Sequence, residues 1–552
     1  MKQIFLIFSI LVLSMSYKVI QSAPYNYGEA LQKSIYFYDA QRAGVLPEYG
    51  REAGKNRVFW RSDSVLNDGQ DVYVDLSGGF FDAGDHGKFG LPMAATFSLL
   101  AFGAIEYLEA YDESDQLVYL LENMKWGGDY FVAAHLDETT FVAGVGDGNL
   151  DHTFWGAPEI VHLAGSASVR ESFIVNEFNP GSDVTAATAA ALASTYQLFK
   201  SAAQMNPQKY QIYYDHALNK NYLGHAISLY NFADEYRGKY SESIPSIQPF
   251  YNSWSGYQDE LVWGALWLYI ATQDNTYLQK AESYFEEIKN ANFRWTHNWD
   301  DASYGSLILL AMYSQSANKT FYITKSKEWL DFWVDSLNKT PQGLAWLSEW
   351  GALRYSANTS LLAFIFADYL QSVNDVSAAR YENFAQSQIE YMLGDNEQSR
   401  SYVVGFGTNP PLRPHHRGAS GVYTNNINDE PLDNLHILYG ALVGGPSVDG
   451  SYQDNRDDYI KNEVALDYNA GFTGALARMY RSCSHEISCQ PIASFPPILT
   501  DNKKRLEFSV EAKVNAQGAN FREYSLFVKN KTAYPARATE ELIVRYYINL
   551  KE

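Results

Sequence analysis

The sequence predicts an all-α domain followed by a short β-rich tail, and three observations carry that prediction. Between residues 26 and 480, apolar residues recur at spacings of three and four in about a dozen segments, the period of a helix that buries one face. No alternating strand pattern intervenes, which argues against dinucleotide-binding and β/α-barrel folds. After Cys489 the pattern changes to period two.

In chain order the helical segments are 31–41, 93–107, 117–136, 188–198, 225–236, 261–271, 277–288, 307–313, 322–337, 360–370 and 381–393. A last helix follows Glu463. There Asn462 reads as the N-cap, and Val464, Tyr468, Phe472 and Leu476 recur every four residues along one face. Long loops join these helices, and such loops rarely persist in a compact domain without a function. Residues 491–497 are proline-bounded and read as a linker, and 506–514 and 541–550 alternate as strands.

Composition narrows the class. With 64 acidic against 42 basic residues the chain carries −22, and no basic run offers a phosphate track, so no nucleic-acid partner is expected. Aromatics reach 15%, including 42 Tyr and 12 Trp, which suits either a large helical core or stacking on sugar rings. Met1-Lys2 followed by an apolar run to Ser16 reads as a signal peptide, ending at Ser16 or Ala23, and no later stretch suits a membrane span. A secreted, monomeric protein is expected. Cys483 and Cys489, separated by five residues, then form a local disulfide. Acceptor triplets for N-glycosylation stand at Asn318, Asn338, Asn358 and Asn530; Pro341 disfavours the second.

Several loops concentrate chemistry. Residues 452–471 crowd Asp454, Asp457 and Asp458 ahead of Glu463. Asp454 and Glu463 are nine residues apart and would point oppositely on one helix, so Asp454 is assigned to the loop. Five glycines in 78–90 let backbone approach a ligand closely around Asp82 and Asp85, two carboxylates able to converge on one water or ion. Bare Asp-x-x-Asp more often marks a turn. Asp151-His152-Thr-Phe-Trp155 follows. Ser255, Gly256, Asp259 and Glu260 cluster hard oxygen ligands of the kind calcium takes, although Ser255 as a helix cap with acids in the first turn explains them equally well. His415 and His416 are adjacent, but no second Cys/His cluster supports zinc.

Taken together these phrases resemble glycoside hydrolase family 9, the inverting cellulases. Tyr452, Asp454, Tyr459, Glu463, Ala465, Asn469 and Ala470 meet its C-terminal signature in order. Gly78-Gly-Phe-Phe-Asp82-Ala-Gly-Asp85-His-Gly-Lys-Phe89 is similar to its N-terminal catalytic loop, and 401–417 to its signature ending His-x-Arg. The resemblance implies an (α/α)6 barrel with Glu463 as general acid, Asp85 as general base and Asp82 holding the water; His415 and Asp454 complete the catalytic set. It implies sugar contacts at His152, Trp155, Tyr251, Trp254, Trp295, Trp350, Tyr355, Arg417 and Tyr468. It also implies a structural calcium ion on Ser255, Gly256, Asp259, Glu260 and Asp300, with no cofactor needed for the chemistry. Ala187 departs from the family, which usually carries Glu there. The tail, through 530–537, resembles the start of a family 3 carbohydrate-binding module. The expected organisation is leader 1–23, catalytic domain 24–482, linker 483–497 and partial β-sandwich module 498–552. The implied activity is endo-hydrolysis of β-1,4-glucan. Mixed-linkage glucan or xyloglucan as substrate, or a non-catalytic wall-binding role, stay open as alternatives.

Overall fold

The structure is a computed structural model that describes residues 23–497, 507–539 and 542–545. The expected leader, apart from Ala23, lies outside the described residues, as does most of the expected strand at 541–550.

Six helices form a closed inner ring: Gly90–Glu106, Ser182–Met205, Gln258–Thr272, Ser303–Tyr313, Ala352–Ser372 and Leu466–Arg481, the last packing back on the first. These helices are apolar almost all round, because each meets ring neighbours on two sides and an outer helix on a third. Ala187 sits in this core, in a run of alanines that lets the backbones approach. Gly103 and Gly474 make one close approach; a Cβ on Gly103 would lie 2.9 Å from Gly474 Cα. Outer helices Leu117–Ala134, Tyr222–Glu235, Asn275–Ile288, Lys319–Asp331, Ala378–Leu393 and Tyr27–Gln41 back the inner ones. Most bury one face, whereas Tyr27–Gln41 is buried nearly all round; the whole is an (α/α)6-type barrel. An antiparallel outer helix separates successive inner helices. The inner helices therefore run the same way, and their N-terminal loops gather at one end. Every loop singled out in the sequence is among these or beside them.

Four features depart from expectation. A small sheet, β1 (Lys88–Phe89), β2 (His135–Asp137), β3 (Thr140–Val145) and β4 (Ser172–Val175), is inserted among the helices. Antiparallel pairing with register Lys88↔Val145 and Val145↔Ser172 anchors the end of the 78–90 loop. The helix expected at Glu463 begins only at Leu466, with Ala465 as its N-cap. Asn462 instead accepts a hydrogen bond from Tyr452 Oη and donates to Gln453 O at 2.9 Å, so it fastens the loop rather than capping a helix. Asn358 is buried, donating to His297 O and accepting from Gly471 N, so that triplet is closed to a glycan.

The fourth departure is the C-terminal region. Cys483 and Cys489 are paired as expected. Residues 491–497 are packed rather than free. Ile492 exchanges hydrogen bonds with the Gln32 side chain, and Phe495 sits edge-on to Tyr36 and Tyr439 at 5.0 and 5.3 Å. Beyond them β5 (Phe508–Gly518) and β6 (Phe521–Asn530) form a two-stranded antiparallel ribbon. Residues 542–545 are not strand. The ribbon itself stands largely exposed; the loop after it makes the contact. Tyr534 stacks on Phe59 at 5.8 Å and meets His436 edge-on at 4.6 Å, and Lys531 lies over Tyr423. The tail thus meets the helical domain through a loop, not through its strands.

Candidate active site

Glu463 lies in extended backbone, bridged in parallel to His415, with His415 N donating to Asn462 O at 2.8 Å and Gly444 N to Glu463 O at 2.9 Å. It therefore precedes the last helix and does not lie in its first turn. Its Oε2 accepts from Trp350 Nε1 and from Tyr468 Oη at 2.9 Å. Removal from water pushes the carboxyl up to about 7, against the two donors and Arg354, while Asp467 pushes further up. Tyr468 is buried, so it orients Glu463 instead of presenting a face to sugar, which corrects its expected role.

The facing loop carries Asp82 and Asp85, both buried. Asp85 accepts from Ala83 N and Gly87 N at 3.2 Å each, which fixes its carboxylate across the turn. Asp82 Oδ2 accepts from Tyr251 Oη, and Asp82 O accepts from Leu466 N at 2.9 Å, the first amide of the last helix. The two halves of the site thus share one hydrogen bond. Gly84 makes this closeness achievable: a Cβ there would fall 2.0 Å from His415 O. Burial and mutual repulsion raise Asp82 well above the carboxylate range, despite Tyr251. Asp85 is raised by burial and by Asp151, and pulled back by His152, Arg417 and Gly87 N. Burial therefore raises both carboxyls, and only Asp85 has Arg417 and His152 opposing the rise.

His415 completes the centre. Its Nδ1 donates to Arg456 O at 2.8 Å, leaving Nε2 as the free ring nitrogen, and burial lowers its pKa to about 4. It is a neutral imidazole at working pH. Trp155 lies edge-on to it at 5.0 Å. His416 is structural: Nδ1 accepts from Ala419 N and Nε2 meets Gln41, so neither ring suits zinc. Asp454 does not join the carboxylates. It accepts from Leu412 N at 2.7 Å and Arg413 N at 3.1 Å, and so braces the turn that leads into His415.

The profile of glycosyl hydrolase family 9 matches residues 27–476. The chain is 45% identical over 538 residues to endoglucanase 4 of a Bacillus strain, covering 96% of this chain and 79% of the relative. The chain belongs to glycosyl hydrolase family 9. Among solved structures it is similar to endoglucanase CelQ of Clostridium thermocellum, crystallised with cellobiose and cellotriose. That match has 41% identity and a TM-score of 0.79, with 93% of this chain and 79% of that one covered. The endoglucanase of the termite Nasutitermes takasagoensis superposes with a TM-score of 0.73 at 42% identity, over 83% of this chain and 99% of that one.

Around this family 9 centre the expected aromatics divide by exposure. Trp254, Trp295 and Trp350 present open faces at 77%, 39% and 47% exposure, as stacking on a pyranose requires. Tyr355, Trp155 and Arg417 are nearly closed off, and His152 is exposed. Tyr459, singled out in the sequence only as a signature position, lies tilted against Trp350 at 5.6 Å and is half open. Sequence reasoning also missed Arg354, which lies over Tyr355 and Tyr468 and pairs with buried Asp467 at 2.9 Å. Asp151 was passed over as well; it meets Arg417 in a buried ion pair.

The expected calcium ligands do cluster. Ser255 Oγ is 3.3 Å from Asp259 Oδ1, and Asp300 accepts from Trp254 N and Ser255 N. Glu260 Oε2 is buried without a hydrogen-bond partner, and burial with repulsion from Asp259 pushes Asp300 up to about 8. A buried carboxylate oxygen left unpaired among acids fits a cation. Asp85, Asp151 and His152 also bring ligand atoms within 4.8 Å of one another, but Arg417 and Arg170 already supply the positive charge there.

Proposed function

We propose that this family 9 protein is an endo-acting β-1,4-glucanase that cleaves cellulose with inversion. Asp85, ionised, takes a proton from water as the water attacks the anomeric carbon. Glu463, protonated, gives its proton to the departing glycosidic oxygen on the opposite face. Asp82, held by Tyr251, keeps the proton of the carboxylate pair and hydrogen-bonds the water. Neutral His415 and Arg417 address sugar hydroxyls, while Trp254, Trp295 and Trp350 stack on rings along the open cleft.

The observation that carries this reading is geometric: the loop bearing Asp82 and Asp85 is tied to the segment that follows Glu463 by the Leu466 N–Asp82 O hydrogen bond, 2.9 Å. Glu463 is fixed there by Trp350 and Tyr468, and burial pushes it up to about 7, as a proton donor needs. The names of its relatives and the cello-oligosaccharides bound in CelQ support the substrate class. A non-catalytic wall-binding role would leave this tuning unused. Ser255, Gly256, Asp259, Glu260 and Asp300 would hold calcium, which would neutralise the acids and fix the 254–260 segment under Trp254. The ribbon and its docking loop are read as part of a family 3 carbohydrate-binding module. Export as a secreted monomer is read from the apolar N-terminus, and no helix among the described residues is long and apolar enough to cross a membrane.

The test is Glu463→Gln. On carboxymethylcellulose kcat should fall by roughly 10²–10⁴. On a cellobioside whose leaving group needs no protonation much of that loss should be recovered. Equal losses on both substrates would make Glu463 structural.

A further inference from the structure

Behind Asp85 runs a line of buried charges that the reaction above leaves unexplained. Lys88 Nζ lies 2.9 Å from Asp68, and Arg170 grips the same carboxylate with Nε at 2.7 Å and Nη2 at 3.0 Å. Arg170 Nη1 then reaches to 4.0 Å from Asp151 Oδ1, and Asp151 Oδ2 accepts from Arg417. All five side chains are 7% exposed or less. The order of charge is plus, minus, plus, minus, plus. Buried ion pairs add little net stability against apolar replacements, so such a line is better explained by what it orients.

The groups around Asp151 are all identifiable. His86 Nδ1 is 3.6 Å away and His86 N donates at 3.3 Å; His152 Nδ1 is 3.9 Å away. Burial lowers the pKa of His86 to about 3, with Arg61 also opposing its charge, so it is neutral. Asp85 completes the neighbourhood, since Asp85, Asp151 and His152 bring side-chain atoms within 4.8 Å of one another. Three cations face two anions in the line, and one positive charge remains unmatched. An ionised Asp85 balances it. Asp82 is bonded to Tyr251, and burial and Asp85 push its carboxyl well above the ordinary range.

We propose that Asp151 is a positioning carboxylate of this enzyme: anchored by the Lys88–Asp68–Arg170 line, it aims Arg417 towards Asp85 and offsets part of the positive charge that favours an ionised Asp85. This rests on Asp85 being the general base. Asp151 touches no reacting atom; it acts through Arg417 and through its own charge. Removing its negative charge leaves Asp85 facing more net positive charge, so Asp85 deprotonates at lower pH. Removing Arg170 does the reverse.

The experiment is the pH profile of kcat/KM on a soluble cello-oligosaccharide, whose acidic limb reports the base in the free enzyme. Wild-type full-length protein is compared with Asp151→Asn, Arg170→Gln, Arg170→Lys and Asp85→Asn. The acidic limb should move roughly one pH lower in Asp151→Asn and higher in Arg170→Gln, and stay near wild type in Arg170→Lys, which keeps the charge. A merely structural role predicts a uniform loss at every pH, and that result overturns the proposal. If Asp151→Asn does not fold, Arg170→Gln against Arg170→Lys carries the same comparison from the other side of Asp151. Asp85→Asn separates the two claims. If it keeps most of its activity, the base assignment itself is wrong. If it is inactive while the limb stays put in the charge variants, the charge line alone is refuted.

Discussion

Glu463 must keep a proton at a pH where Asp85 has lost one, and the side chains that touch each carboxylate set that difference. Tyr468 Oη and Trp350 Nε1 both donate to Glu463, and both favour its ionised form. Tyr468 is the cleaner probe, because it is buried behind Glu463 and meets no sugar. In Tyr468→Phe the ionised form loses a charge-assisted hydrogen bond, so the acid stays protonated to higher pH. The alkaline limb of kcat/KM should move up by roughly one pH with KM nearly unchanged. A limb that stays in place would mean that Tyr468 does not govern the acid. Seven signature positions singled out Glu463 in the sequence, and the glycine-rich phrase 78–89 singled out Asp82 and Asp85. What was not legible was how Tyr468 and Asp454 act. A tyrosine two residues inside a helix and a loop aspartate look the same in sequence whether they face sugar or backbone. Only the fold shows Tyr468 turned to Glu463 and Asp454 turned to the amides of Leu412 and Arg413.

Elements place these residues by ending where they do. Helices Gln258–Thr272 and Leu466–Arg481 start just after Ser255–Gly256 and Glu463, so each functional loop is held at its exit by an inner-ring helix. Helix existence was legible from periodicity because most outer helices bury one face. Helix starts were less so: Asn462 has the right residue type for a cap, but Tyr452 claims its side chain. The sheet β1–β4 was not legible, because its strands are two to six residues long and lie within loops. The loop at 254–260 carries its own prediction. Asp300 and Asp301 are pushed up to about 8 and about 7 by burial and by Asp259, so as pH rises through that range the folded state bears unpaired buried charge. A cation would relieve it. Thermal melting at pH 8 should therefore show a lower Tm in chelator, restored by calcium, with activity surviving below the transition. An unchanged melting curve, with no metal by elemental analysis, would leave Ser255 as a cap residue.

At the scale of the whole molecule, the barrel explains why residues as distant as Asp82 and Glu463 share a site: the N-terminal ends of parallel inner helices open at one end. The tail was only half legible. Alternation at 506–514 revealed β5, but it missed β6, and the anchoring residue, Tyr534, lies in the loop beyond them. Phe495 is packed on Tyr36 and Tyr439, so the segment through Pro497 belongs with the helical domain. A chain ending at Pro497 should keep its hydrolysis of soluble cellulose, measured as reducing-sugar release, because no residue of 507–539 meets Glu463, Asp82 or Asp85. Loss of that activity would make the tail part of the catalytic unit.

The central claim is that acid and base act from opposite faces of the sugar, with water between the base and the anomeric carbon. The most direct measurement is proton NMR of the first product released from a cello-oligosaccharide, recorded before mutarotation. The account predicts the α-anomer at the newly formed reducing end. A β-anomer as first product would mean a covalent intermediate and retention, and would contradict the roles given to Asp85 and Glu463.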